Sequence, residues 1–305
     1  MPQKELTGGL PMILRLALAA TAFASVAHAE TLAPPTTREQ QAHVELAPYR
    51  YDDVLWENDR TAHRIYGHAL EAFEPPSGSG IDAWGKSVRY PFMARQLRSG
   101  DQHAEHGEGL DFYDVKTFRG AGGLGIWYDN KLWTSRNYRT VRILDPGPKV
   151  ASFEVTYAPW PVDVVRTVSE RRRFTLPLGT NFTRMVSTLS SSKPGPLLIG
   201  VGIGKHTTAT GKEEVTKDPE HGFLSVWSAP AEGKGSMAVA ILFDPKTLVK
   251  ITEDNDNYLV ILREKPGLPF VYYSGAAWDR GLDFHDHDAW VAYVRAQHPD
   301  FNPRH

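Results

Sequence analysis

An all-β, mainly antiparallel fold with a short C-terminal helix is what this 305-residue chain predicts, and three observations carry that reading. Short segments rich in Val, Ile, Phe, Tyr and Thr recur along the chain, separated by Pro, Gly, Asn and Asp. Several of them alternate polar with apolar residues, the period of a strand with one face buried. Helical spacing is confined to two places, a brief 91–98 and an amphipathic 286–297 with Ala289, Trp290, Tyr293 and Val294 on one side.

The N-terminus reads as an address. Lys4 and Arg15 supply positive charge, residues 14–27 form a short apolar run, and Ala27-His28-Ala29 offers a small-x-small cleavage pattern. Residues 1–29 are therefore expected to be a signal peptide, cleaved after Ala29, which would deliver the protein to a periplasm. About a dozen apolar residues are too few to span a bilayer core. Residues 30–48 read as a polar tail or edge strand, and 49–305 as a single β-sandwich domain.

Within that domain each strand is bounded by turn chemistry. Residues 64–72 read as one strand. Asp129-Asn130 should turn the chain between 125–128 and 132–135. Asp145-Pro146-Gly147-Pro148 separates 141–144 from 150–157, and Pro177-Leu178-Gly179-Thr180 separates 164–176 from 182–189. In the first of this last pair Arg171, Arg173 and Thr175 oppose Phe174 and Leu176, with Arg172 falling on the apolar register. Further strands are expected at 197–203, 223–228, 237–243, 258–263 and 269–274, the spacing of an antiparallel sandwich or barrel.

Composition excludes several functions. Cysteine is absent, so there is neither a disulfide nor a thiolate metal site. The net charge of -2 argues against nucleic acid. There is no nucleophile elbow, Walker motif or dinucleotide fingerprint. Eight Trp and twelve Tyr suit either a sandwich core or stacking against sugars, and the count alone does not choose.

Three stretches hold more polar chemistry than a structural sheet requires. In the first, a strand would set Arg60, Arg64, Tyr66 and His68 on one surface; a solvated sheet face laced with ion pairs is the plainer alternative. The second is 103–114, where seven of twelve residues exchange protons or bind metals: His103, Glu105, His106, Glu108, Asp111, Tyr113 and Asp114. Its glycines make it a loop, and loops held on a rigid sheet often carry catalytic groups. Zinc on His103, His106 and a carboxylate, or calcium on Glu108, Asp111 and Asp114, would also use these donors. No cofactor is required, and a divalent metal stays open. Lys86, Lys116 and Arg119 would hold an anionic substrate, most simply a carboxylate, while the glycines at 120–125 permit close backbone approach. The third stretch holds Tyr272, Tyr273, Trp278 and 285–288, where Asp286 or Asp288 suits a helix N-cap. His206, at a strand end, completes the candidates.

The segments WENDRTAHRIYG at 56–67, HAEHGEGLDFYDV at 103–115 and GAGGLGIW at 120–127 resemble the exported bacterial family known as domain of unknown function 4861. Lys116 departs from the family pattern, which leads one to expect glycine after Tyr-x-Val. The resemblance implies a galactose-mutarotase-like β-supersandwich, a fold shared with polysaccharide lyases. It implies work on uronate-containing oligosaccharides, with dehydration to a 4,5-unsaturated uronic acid at the non-reducing end. Such β-elimination needs a base for the C5 proton, an acid for the leaving oxygen at C4 and a cation on the carboxylate. His103 or His106 would be the base, Tyr113 or His206 the acid, and Arg60, Lys86 and Arg119 the clamp. Arg64, Tyr66, Glu108, Asp111, Tyr272 and Trp278 would add substrate contacts. A sugar epimerase or mutarotase, and a non-catalytic carbohydrate-binding protein, are the competing expectations.

Overall fold

The computed structural model describes residues 38–206 and 211–304; the expected signal peptide lies outside them. The described residues form one compact unit. Among the described residues eighteen strands and three short α-helices follow one another. They are β1 (His43–Ala47), β2 (Asp53–Glu57), β3 (Ala62–Ile65), α1 (Leu70–Phe73), β4 (Asp82–Lys86), α2 (Met93–Ser99) and β5 (Gly109–Leu110). Next come β6 (Ala121–Tyr128), β7 (Lys131–Trp133), β8 (Thr140–Asp145), β9 (Val150–Pro161), β10 (Thr167–Pro177), β11 (Phe182–Ser191) and β12 (Leu197–Gly204). The chain closes with β13 (Glu214–Asp218), β14 (Phe223–Trp227), β15 (Met237–Phe243), β16 (Leu248–Glu253), β17 (Asn257–Glu264), β18 (Pro269–Trp278) and α3 (His287–Arg295).

Three sheets result, and every pair of neighbouring strands is antiparallel among the described residues. An eight-stranded sheet runs β13-β14-β15-β18-β11-β10-β9-β8, with five-stranded sheets β1-β2-β3-β4-β5 and β16-β17-β12-β6-β7 beside it. The architecture is thus the expected all-β sandwich with a C-terminal helix. Turn chemistry sets the hairpins: Asp129 and Asn130 both adopt positive φ (51° and 54°), the mirror-image turn that joins twisted strands tightly.

One apolar core is shared by all three sheets: Val44, Trp56 and Ala83 from the first, Phe153, Phe174 and Tyr272 from the second, Ile199 and Val260 from the third. Arg172 falls on this core side and is fully buried with Glu170, its Nε 2.6 Å from one carboxylate oxygen and its Nη2 2.8 Å from the other. The irregular register of the strand is therefore an internal ion pair. On the opposite face of the large sheet, α3 packs Trp290, Val291 and Val294 against Ala238, Ala240 and Leu242 of β15. Asp286 caps this helix by accepting from the Ala289 N–H at 2.8 Å, as expected, whereas Ala289 itself is exposed.

One expected strand is broken. Instead of continuing through residues 64–72, β3 ends at Ile65, and Leu70–Phe73 turns into helix. The cause sits at Gly67, where a Cβ would lie 2.1 Å from the Tyr51 carbonyl oxygen. Its N–H is drawn to the Asp53 carboxylate at 3.1 Å, and its carbonyl accepts from Leu70, so the chain bends there. Period-two alternation stops with it: His68 is exposed and Arg60 lies before the strand begins.

Candidate functional site

A polar pocket of about 330 Å³ opens beside the first sheet. It gathers Arg64, Tyr66, His103, Asp111, Tyr113, Asp114 and Lys116 of the residues expected at a site, and adds Arg50, Gln102 and Lys234.

Arg64 forms its floor. The side chain projects from β3 opposite Asp82 of β4, and its Nε and Nη2 donate to Asp82 Oδ2 at 2.9 and 2.7 Å. Nη2 also donates to Asp111 Oδ2 at 2.8 Å, and Nη1 lies 3.8 Å from Asp53 Oδ2. Three carboxylates therefore surround one cation out of reach of water. Burial pushes Asp53 up to about 7 and, with the neighbouring Asp111 charge adding to it, pushes Asp82 up to about 8. Asp53 Oδ2 has no hydrogen-bond partner, whereas Asp82 Oδ2 accepts from Arg64 and from Trp84 Nε1. The guanidinium is sandwiched between the Tyr66 and Trp84 rings, 5.0 and 5.3 Å from their centroids.

His103 and Tyr66 both line the space. His103 Nδ1 lies 2.9 Å from the Asp111 carbonyl oxygen, an atom that only accepts. Nδ1 therefore carries the proton and Nε2 keeps its lone pair, with the Gln102 amide nitrogen 3.2 Å away. The Asp111 carboxylate stands 3.8 Å from the same Nδ1. The Tyr66 hydroxyl makes no hydrogen bond to the chain among the described residues; burial and the acidic cluster hold it well above the ordinary tyrosine value, so it stays a proton donor.

Lys234 enters from the β14–β15 loop, and its ammonium has no side-chain partner among the described residues. Its backbone is pinned by Trp278, whose Nε1 donates to the Lys234 carbonyl at 2.8 Å. Trp278 in turn lies flat on Gly85, where a Cβ would stand 2.8 Å from the indole. The other wall cations are occupied, Arg50 with Glu74 at 2.6 Å and Lys116 with Asp114 at 2.6 Å. Lys116 holds φ at 45°, the left-handed region that favours glycine.

The remaining expected site residues lie elsewhere or serve other ends. Arg60 faces Asp59 and Asp283, each at 3.8 Å. Lys86 is buried on Glu57 at 2.7 Å, and the other oxygen of Glu57 accepts the N–H groups of Phe92 and Met93 at the start of α2. Arg119 is buried, donating to Ser79 Oγ and to the Leu124 and Thr117 carbonyls; burial and the Arg172 charge lower it to about 10. The expected clamp of Arg60, Lys86 and Arg119 is thus three separate anchors, because two of these cations are drawn inward by partners distant in sequence.

His106 turns to Asp101 at 3.1 Å, and Glu108 accepts from Arg95 at 2.9 Å. Tyr113 spends its hydroxyl on the Gly120 carbonyl, and its ring lies tilted against His206, centroids 4.0 Å apart. Both nitrogens of His206 meet carbonyl oxygens, Gly204 at 3.1 Å and Asp114 at 2.6 Å, which leaves none open. Tyr272 is in the core, donating to Gly122. Among the described residues no three His, Asp or Glu side chains gather to hold a metal ion. The zinc and calcium groupings considered above are instead divided among Arg64, Arg95, Lys116 and Asp101. No described helix is long and apolar enough to cross a membrane.

Fold and pocket together define an antiparallel β-sandwich protein with a histidine–tyrosine pocket floored by a buried arginine. The chain belongs to the family of the domain of unknown function DUF4861, which it matches over residues 15–303. A curated relative, "Uncharacterized protein P7" of Formosa agariphila, is 28% identical over 270 residues, 82% of this chain. The chain spans 65% of that relative's length. Among solved structures, the GH36 α-galactosidase AgaB of Geobacillus stearothermophilus aligns with a TM-score of 0.35 at 11% identity, over 76% of this chain and 40% of that one. The 4-α-glucanotransferase of Thermococcus litoralis aligns with a TM-score of 0.36 at 10% identity, over 79% and 41%.

Proposed function

We propose that this protein is a carbon–oxygen lyase that dehydrates uronate-containing oligosaccharides to a 4,5-unsaturated uronic acid. One observation carries the reading: an imidazole with a fixed tautomer, an unpartnered phenol and an unpaired ammonium line the same pocket. His103 Nε2 takes the C5 proton. The C5–H electron pair becomes the C4–C5 double bond, the C4–O bond breaks, and the departing oxygen takes the Tyr66 proton as water leaves. Lys234 lies against the substrate carboxylate and holds the charge that builds there as C5 is deprotonated. Arg64, neutralised by its own carboxylates, keeps Tyr66 in place through its stacked ring. The expected leader at residues 1–29 would bring this chemistry to a periplasm, where imported oligosaccharides arrive.

Purified protein supplied with glucuronate, iduronate and galacturonate oligosaccharides should generate the ultraviolet absorbance of a conjugated uronate with at least one of them. No absorbance with any, while solvent deuterium enters C5 or anomers interconvert, would replace the lyase by an epimerase or mutarotase.

A further inference from the structure

The large sheet carries a second polar surface, which shares no lining residue with the pocket. While α3 covers β14 and β15, the outward face of β8–β11 carries no described helix, and the C-terminal segment meets it at Arg184 and Pro303. Two adjoining depressions of about 500 and 530 Å³ lie on it and share Arg171 and Thr188. From Ser169 at one end to Thr175 at the other is six residues along β10, on the order of 20 Å of extended chain.

The charge there opposes that of the whole chain. Arg142, Arg171 and Arg173 crowd one carboxylate, Glu154, at 3.4, 3.9 and 3.9 Å, with half or more of each arginine side chain exposed. Antiparallel register builds this group, since Glu154 stands directly across from Arg142 on one side and Arg173 on the other. Arg184, across from Thr175, donates to the Asn302 carbonyl at 2.6 Å and meets no carboxylate among the described residues. Arg142, Arg171, Arg173 and Arg184 thus have one carboxylate, Glu154, among them, in a chain of net charge -2; Glu170, which also lines the first depression, is buried on Arg172, and Arg139 beside it lies 3.8 Å from Glu71. Between them Thr156, Thr188, Ser169 and Ser190 present hydroxyls. Neither depression is lined by Trp, Phe or Leu, and the one aromatic that lines them, Tyr157, is buried, so no exposed ring offers itself to a membrane or to stacked bases.

We infer that the outward face of β8–β11 is a docking groove for a carboxylated polysaccharide, separate from the histidine–tyrosine pocket. Its guanidinium groups already gather on one carboxylate, Glu154, and rows of hydroxyls suit a polyhydroxylated chain.

Affinity electrophoresis through gels containing polygalacturonate, heparin or dextran tests this without turnover, so its result and that of the lyase assay are independent. Polygalacturonate should retard the protein and dextran should not; stronger retardation by heparin than by polygalacturonate would make the occupant a sulfated chain and overturn the carboxylate. The Arg171→Ser/Arg173→Ser variant should weaken retardation about tenfold, and Glu154→Gln should strengthen it. Added salt should erase the effect. Equal migration in all three gels, wild-type retardation of the double serine variant, or tighter binding to duplex DNA would overturn the inference. Should the serine variant fail to fold by circular dichroism, Glu154→Gln still decides.

Discussion

His103 donates through Nδ1 to the carbonyl oxygen of Asp111 at 2.9 Å, and this bond orients the imidazole in the pocket. Because a carbonyl oxygen cannot donate, the bond assigns the proton as well as the orientation, and it leaves Nε2 basic. His106, three residues on, pairs with exposed Asp101 instead. His103→Ala should therefore lower kcat roughly a hundredfold or more, the usual weight of a general base. His106→Ala should leave kcat within about twofold of wild type, since it removes only an exposed pair. Steady-state rates of both variants, read by ultraviolet absorbance, check the contrast.

Tyr66 offers a sharper test of the proton donor. Its ring rests on the Arg64 guanidinium at 5.0 Å, so Tyr66→Phe keeps the packing and removes only the hydroxyl. The expected outcome is a fall in kcat of about a hundredfold with little change in KM. Since the phenol is held well above its ordinary value of about 10, the rate should not decline on the alkaline side below that pH through loss of this proton. A decline between neutrality and pH 9 in wild type that vanishes in Tyr66→Phe would contradict it.

Much of this fold is legible in the residues because hairpins write their own turns. Asp129-Asn130 and the Pro/Gly pair at 146–147 mark real connections. Strands β13 and β16 escape such reading, since Glu214–Asp218 and Leu248–Glu253 are sheet edges whose Lys and Glu residues blunt the unpaired side and erase the alternation. The site divides in the same way. The 103–114 loop is contiguous and announces itself, whereas Lys234 arrives from a loop more than a hundred residues away in the chain. Its local signal is the flanking glycines Gly233 and Gly235, both at positive φ (70° and 83°). Cations are hardest to assign from residue type. Lys86 reads like a substrate clamp until Glu57, twenty-nine residues earlier, is placed 2.7 Å from it.

Lys234 and Lys116 should separate by their effects. Lys234→Ala removes the unpaired ammonium and is expected to raise KM and lower kcat together, each about tenfold, because the cation would meet substrate and developing charge alike. Lys116 sits at φ 45° with its ammonium already on Asp114. Lys116→Gly should therefore raise the melting temperature by relieving the left-handed backbone, with a smaller rise in KM. Calorimetry and steady-state kinetics on both proteins decide.

Stability should depend on pH through the acids around Arg64. Asp53 at about 7 and Asp82 at about 8 hold protons in the folded chain that the unfolded chain releases near 4. Their contribution is fully present below about 4 and is lost as pH rises through 7 to 8. His63 acts at the other end: burial lowers it to about 4, so its contribution is present above about 6.5 and is lost as pH falls through 4. Two acids outweigh one histidine between about pH 4 and 6.5, so these groups together should lower the melting temperature as pH rises from about 4 to 8. Asp53→Asn should flatten the decline between about pH 4 and 7; an unchanged slope in that variant would assign the proton elsewhere in the cluster.

Glu170 and Arg172 lie two residues apart on β10 and bury a full ion pair in the shared core, with Ser187 Oγ donating to the same carboxylate at 2.6 Å. Taking two charges out of water is costly, and their mutual attraction repays it only while both remain. Arg172→Met alone strands a carboxylate and should destabilise the fold by about 3–5 kcal/mol. Replacing both, Glu170→Met with Arg172→Met, should restore most of that loss, because neither charge is then left unpaired. Chemical denaturation of the single and double variants measures the coupling. If the double variant is as unstable as the single one, the pair holds the sheet through geometry that apolar packing does not replace.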